Sequence, residues 1–219
     1  MWKAIVWKEL RENWWLAGLG LAAHLHMVAV YSGLQLLPTV RTTRFWSMPF
    51  VNHGFLASFV SVSLLLAVAL GLRQTLSESV RGTWLFLLHR PLDRRTLIGL
   101  KLGVGAVLYL GCAATPIVVY ACWAATPGTH PSPFYWSMTL DAWLAWGSLV
   151  AMYLAAFLSG LRPARWFGSR LFPLAGTGML LLFQNLILPW YSLRVGLDVA
   201  LALVLLASIF YVAATRDFS

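Results

Sequence analysis

The chain has 219 residues, of which 60% are hydrophobic and 11% charged, with a mean hydropathy of +0.75. A soluble domain carries about 25% charged residues, so this composition excludes an ordinary soluble enzyme or binding domain and, being so apolar, intrinsic disorder. The formal charge of +9, with 12 Trp, 12 Phe and 7 Tyr, raises nucleic-acid binding as an idea until the charges are placed along the chain.

A bilayer crossing needs about 20 mostly apolar residues. Six stretches qualify: Trp14 to Leu37, Phe50 to Leu72, Leu97 to Ala125, Met138 to Leu161, Leu171 to Trp190 and Val195 to Thr215. The expected fold is therefore all-α, one polytopic membrane domain over residues 1–219, with no room for a separate soluble catalytic domain. Before the first span stand Trp2, Lys3, Trp7, Lys8, Glu9, Arg11 and Glu12, a mixed-charge amphipathic stretch. The apolar run behind it is too long for a signal peptide and lacks a clear A-x-A cleavage site, so it reads as a retained span.

His24 and His26 sit in mid-span one as H-L-H. An offset of two residues places them about 200° apart on a helix, so they do not make one metal site; they are candidates for a pathway lining or for packing. Span two contains Ser58, Ser61 and Ser63. The connection from Arg73 to Lys101 is the longest polar segment. Leu76, Val80, Trp84 and Leu87 form an apolar stripe on a short helix, with Glu78 and Arg81 close enough to interact on another face. Gly82 permits a break or a close backbone approach, and Pro91 ends the helix. Lys101, just inside span three, is expected to snorkel back to the headgroups. Such a segment either lies on anionic lipid or fills a groove on a cytoplasmic partner.

Cys112 and Cys122 both fall in span three, about 15 Å apart along the axis, and cannot pair within it. The next loop, T-P-G-T-H-P-S-P from Thr126, is irregular. Asp141 and Asp198 lie near the starts of spans four and six, and Arg194 is spaced to pair with Asp198. Gln184 and Asn185, near the end of span five, are candidates for helix packing or for lining a path.

The positive-inside rule orients the chain. With the N-terminus in the cytoplasm, 13 of the 16 Lys and Arg lie inside, leaving Arg41, Arg44 and Arg194 outside. An even number of spans returns the C-terminus to the same side. Trp and Tyr cluster at the span ends, as membrane interfaces favour. The basic charge is thus a topology signal, and no nucleic-acid partner is expected.

The inner connection resembles that of the type-2 permeases, the membrane subunits of bacterial ATP-binding cassette (ABC) exporters. The resemblance rests on Glu78, Gly82-Thr83, the leucine-rich turn Leu85 to Leu88, Pro91-Leu92, Arg94-Arg95 and Lys101, and on W-K-E-L-R-E from Trp7 to Glu12. It implies an N-terminal elbow helix on the inner leaflet, including Trp7, Lys8, Glu9 and Arg11. It also implies a coupling helix between spans two and three that docks on a separate ATPase subunit. Glu78, Arg81, Gly82, Thr83, Trp84, Leu87, Pro91, Arg94 and Arg95 would carry that coupling. The chain has no G-x-x-x-x-G-K-[ST] phosphate loop, so ATP and Mg would be bound by the partner and the chain itself would need no cofactor and no metal. A second permease copy or paralogue would complete the pathway, in contact with the lipids of a bacterial-type inner (plasma) membrane. The alternatives are a non-ATP-driven transporter or a membrane scaffold. An intramembrane enzyme is disfavoured, because G-x-S-x-G, H-E-x-x-H and paired in-span carboxylates are all missing from the sequence.

Overall fold

The computed structural model describes residues 2–34, 48–51, 53–81, 93–130, 132–162, 167–188 and 190–215, apart from the side chains at 79, 81 and 167. Every regular element among them is helical: α1 (Trp2–Tyr31), α2 (His53–Arg81), α3 (Arg94–Ala125), a 3-10 turn (Trp136–Thr139), α4 (Leu140–Leu161), α5 (Phe167–Ile187) and α6 (Tyr191–Thr215). All six α-helices are long and apolar enough to cross a membrane.

Three helices overrun their apolar stretches. α1 has 30 residues and α3 has 32, so each spans about 45 Å or more against a hydrocarbon core of about 30 Å. The expected elbow helix is therefore not a separate element. The stretch from Trp7 to Arg11 is continuous with span one, because Ile5, Glu9, Asn13 and Ala17 share the face that packs into the bundle. Similarly α2 runs unbroken to Arg81, so Glu78 belongs to span two and not to a detached coupling helix. Gly82, Thr83, Trp84, Leu87 and Pro91 lie outside the described residues, as does the side chain of Arg81.

Contacts along the helices fix their directions. His24 meets Ser63 while Lys8 meets Glu78, so α1 and α2 are antiparallel. Glu9 meets Lys101 and Ala17 meets Cys112, so α1 and α3 are parallel. The bundle thus runs up and down through its first three helices. Midway, α3 and α4 exchange reciprocal bonds: Tyr109 donates to the Trp146 carbonyl at 3.1 Å, and the Trp146 indole donates to the Leu110 carbonyl at 3.1 Å.

α4 is the centre of the bundle, packed by α2, α3, α5 and α6. Its stretch A-M-Y-L-A-A-F-L-S-G-L, Ala151 to Leu161, is buried at every position. A helix that is apolar all round has no face to offer water, and burial on all sides is the arrangement that suits it. Small residues bring α2 close to it. A Cβ on Gly71 would lie 2.6 Å from the Tyr153 carbonyl oxygen and 2.8 Å from the Phe157 nitrogen. Arg170 of α5 covers the last turn of α4, donating to the Gly160 carbonyl at 2.7 Å and the Ser159 carbonyl at 3.2 Å. At the other end of the bundle Phe50, Phe55 and Tyr120 stack together, with ring centroids 4.5 to 5.0 Å apart. Phe50 keeps a φ of 64° there, a left-handed conformation that its buried ring contacts must offset.

Gly71→Val should separate α2 from α4 and cost about 1–3 kcal/mol, as overpacking does. Gly147→Ala, where an added Cβ meets nothing within 4 Å, should leave stability unchanged. Thermal unfolding of the two variants in mild detergent distinguishes them.

Candidate functional site

α1 is built inside out. Its buried face carries Glu9, Asn13, Ala17, Gly20 and His24, while Trp2, Trp7, Trp14, Trp15 and Leu19 point outward. In lipid this pattern is physically sensible. Tails solvate the large apolar side chains, and small or polar residues hold helices together.

Glu9 opens a buried polar junction joining four helices. The Lys101 ammonium of α3 donates to Glu9 at 2.5 Å and to Glu78 of α2 at 3.0 Å. All three are almost completely buried. Lys8 reaches the same Glu78 oxygen at 2.6 Å and pairs with Glu12 at 3.8 Å. The Gln74 amide donates to the Lys101 carbonyl at 2.8 Å and to Glu9 at 3.3 Å. The Tyr153 hydroxyl of α4 lies 2.8 Å from both Gln74 Oε1 and the Leu102 carbonyl, donating to one at a time. Beside the junction Arg73 donates to the Glu12 carbonyl at 3.1 Å and stacks 4.8 Å over the Trp15 ring.

Two sequence expectations change here. Lys101 does not snorkel outward; its ammonium turns inward because two carboxylates are within reach. Glu78 does not present itself to a partner; it is 3% exposed and engaged by two ammonium groups. The carboxylates of Glu9, Glu12 and Glu78 lie close enough to hold a cation, and the ammonium groups of Lys8 and Lys101 serve as that cation. Arg94 and Arg95 are exposed on the first turn of α3. Trp7 and Arg11 are exposed on α1, away from the junction.

His24 is fully buried. Its Nδ1 donates to the Gly20 carbonyl at 2.8 Å, which leaves Nε2 to accept from the Ser63 hydroxyl at 2.9 Å in the neutral ring. In this conformation it clamps α1 to α2. His26 is half-buried on another side of α1.

A second polar group joins α4, α5 and α6. Asp198 accepts from Ser148 at 2.5 Å and from Gln184 at 2.7 Å. The expected Arg194–Asp198 pair does not form. Arg194 instead donates to Asn185 Oδ1, while Asp198 is held by Ser148 and Gln184.

Asn13, Ser63, Gln74, Ser148 and Tyr153 were not singled out as site residues from sequence. The spacing Glu9, Asn13, Ala17, then Gly20 and His24 would have exposed the buried face of α1, had polar and small residues been scored as the inward set.

The fold, with six helices long and apolar enough to cross a membrane, defines a class, the multi-pass helical membrane protein. No family model, curated protein or solved structure matches the chain.

Lys101→Met should strip both Glu9 and Glu78 of a buried ammonium partner and cost about 3–5 kcal/mol. Adding Glu9→Gln and Glu78→Gln should recover most of the loss. The midpoint of thermal aggregation, followed by size-exclusion chromatography, reports both.

Proposed function

We propose that the chain is the membrane-spanning permease subunit of an ABC exporter. In this reading it forms half of a translocation pathway with a second permease copy or paralogue, and a separate cytoplasmic ATPase subunit drives it. Both termini then face the cytoplasm across an inner (plasma) membrane, and ATP and Mg belong to the partner.

One observation carries the reading beyond the resemblance. The connection at 82–92 leaves α2 one turn after Glu78 and enters α3 two turns before Lys101. A partner pulling on that connection acts on the junction that ties α1, α2, α3 and α4 together. Discrete repacking of helices is how such a pull becomes a switch between states. Coupling then divides between two sets of residues. The connection, with the exposed Arg94 and Arg95, receives the partner, and Glu78 transmits from inside. Carboxylates within helices at both ends, the buried Glu9 and the half-buried Asp198, favour an ion-coupled transporter as the second reading.

Isolation of the tagged chain from its native membranes should recover a subunit with a G-x-x-x-x-G-K-[ST] loop whose ATPase rate the chain raises. Gly82→Trp and the double variant Arg94→Glu/Arg95→Glu should lower that stimulation at least severalfold while the chain still inserts. Transport driven by a proton gradient with no ATPase present would overturn the proposal in favour of the second reading. Tags at either terminus should be protected from added protease in intact cells, and a tag between Thr126 and Pro133 should be cleaved.

A further inference from the structure

A cavity of about 480 Å³ lies on α4 between α2 and α5, within the range of about 300–1,000 Å³ usual for ligand sites. α2 and α5 both pack on α4 but not extensively on each other, so the cavity opens sideways between them. Its inner part is apolar, walled by Leu64, Leu149, Met152 and Leu181. Its other end carries Asp141, Asn185 and Arg194. From Asp141 to Met152 is 11 residues of helix, about 16 Å, or about half of the hydrocarbon thickness. Exposed Trp136 and Trp190 stand near Asp141 and Arg194 in the chain, as residues at a membrane interface do.

The rim is chemically incomplete. Arg194 Nε is buried with no partner, and an unmet guanidinium N–H calls for an anionic oxygen. Asp141 is exposed on the first turn of α4 and forms no ion pair among the described residues. A purely anionic group would meet repulsion from Asp141, and a purely cationic one would meet Arg194. A group carrying a phosphate and an N–H cation satisfies both. We propose that this slot binds one phospholipid with a phosphoethanolamine headgroup. One acyl chain lies along α4, the phosphate sits on Arg194 and the ammonium on Asp141. The site needs no ATPase and stands apart from the permease reading.

The full chain is incorporated into nanodiscs of equal phosphatidylethanolamine, phosphatidylglycerol and phosphatidylcholine, then released into mild detergent for native mass spectrometry. The wild type should retain one phosphatidylethanolamine per chain, about tenfold over either other lipid, the discrimination expected of one charge-assisted bond. Asp141→Asn should erase the preference over phosphatidylcholine, whose headgroup has the phosphate but no N–H. Arg194→Gln should lower retention of all three. Gly178→Phe should fill the slot and abolish retention; a Cβ there meets only Met152 Cε, at 3.8 Å. If Gly178→Phe fails to fold, the exposed Asp141→Asn decides. Equal retention of the three lipids by the wild type overturns the proposal. So does a preference that Asp141→Asn leaves intact, or a dimer that carries no lipid because a second copy fills the slot.

Discussion

The bundle depends on one ammonium group. Lys101 stands between Glu9 and Glu78, and each of these charges, alone in the buried interior of the bundle, would cost several kcal/mol. Mutual satisfaction removes the penalty only in one geometry, with α1, α2 and α3 in fixed register. Greasy helices have little else to hold register, since lipid tails compete equally for any apolar face. A polar junction of this kind specifies an arrangement more than it adds stability.

α4 extends that constraint. Its Tyr153 reaches the Gln74 end of the junction, and its Ser148 holds Asp198 of the second polar group. The two positions are about 7.5 Å apart along the helix. One buried rod therefore touches both networks, and neither can rearrange far without moving it. The close contact at Gly71 and the cover over its last turn by Arg170 leave that rod little freedom to slide. Any change of state in this protein is more readily a rigid-body shift of α4 with its neighbours than a local loosening.

The six spans were legible because length and apolarity alone define them. The helix ends were not. Hydropathy marks where lipid begins, whereas α1 and α2 continue as helices through charged turns, because Lys8, Glu9 and Glu78 are paired inside the bundle. The same cause misplaced Lys101 and Glu78. Read one at a time, a lysine near a span end snorkels and a glutamate in a connection faces water. Their partner Glu9 lies 92 residues from Lys101, and no local spacing rule reaches that far. His24 was legible as an intramembrane polar residue, but its partner Ser63 on α2 was visible only in three dimensions. The Asp198 environment was obscured for the opposite reason. A local i, i+4 rule pointed to Arg194, and tertiary contacts with Ser148 and Gln184 won.

The separation between Glu9 and Lys101 also sets an order of assembly. Glu9 is synthesised long before the ammonium that neutralises it in the folded bundle. In that interval α1 depends on lipid alone, and its most apolar 18-residue window has a mean hydropathy of 1.2, against 2.4 for α2. Arrival of α2 brings a second buried carboxylate, Glu78, which Lys8 of α1 can meet. Only the third helix supplies Lys101. The junction is thus closed only when a trio of helices has come together, and the register of the first two is set by the third.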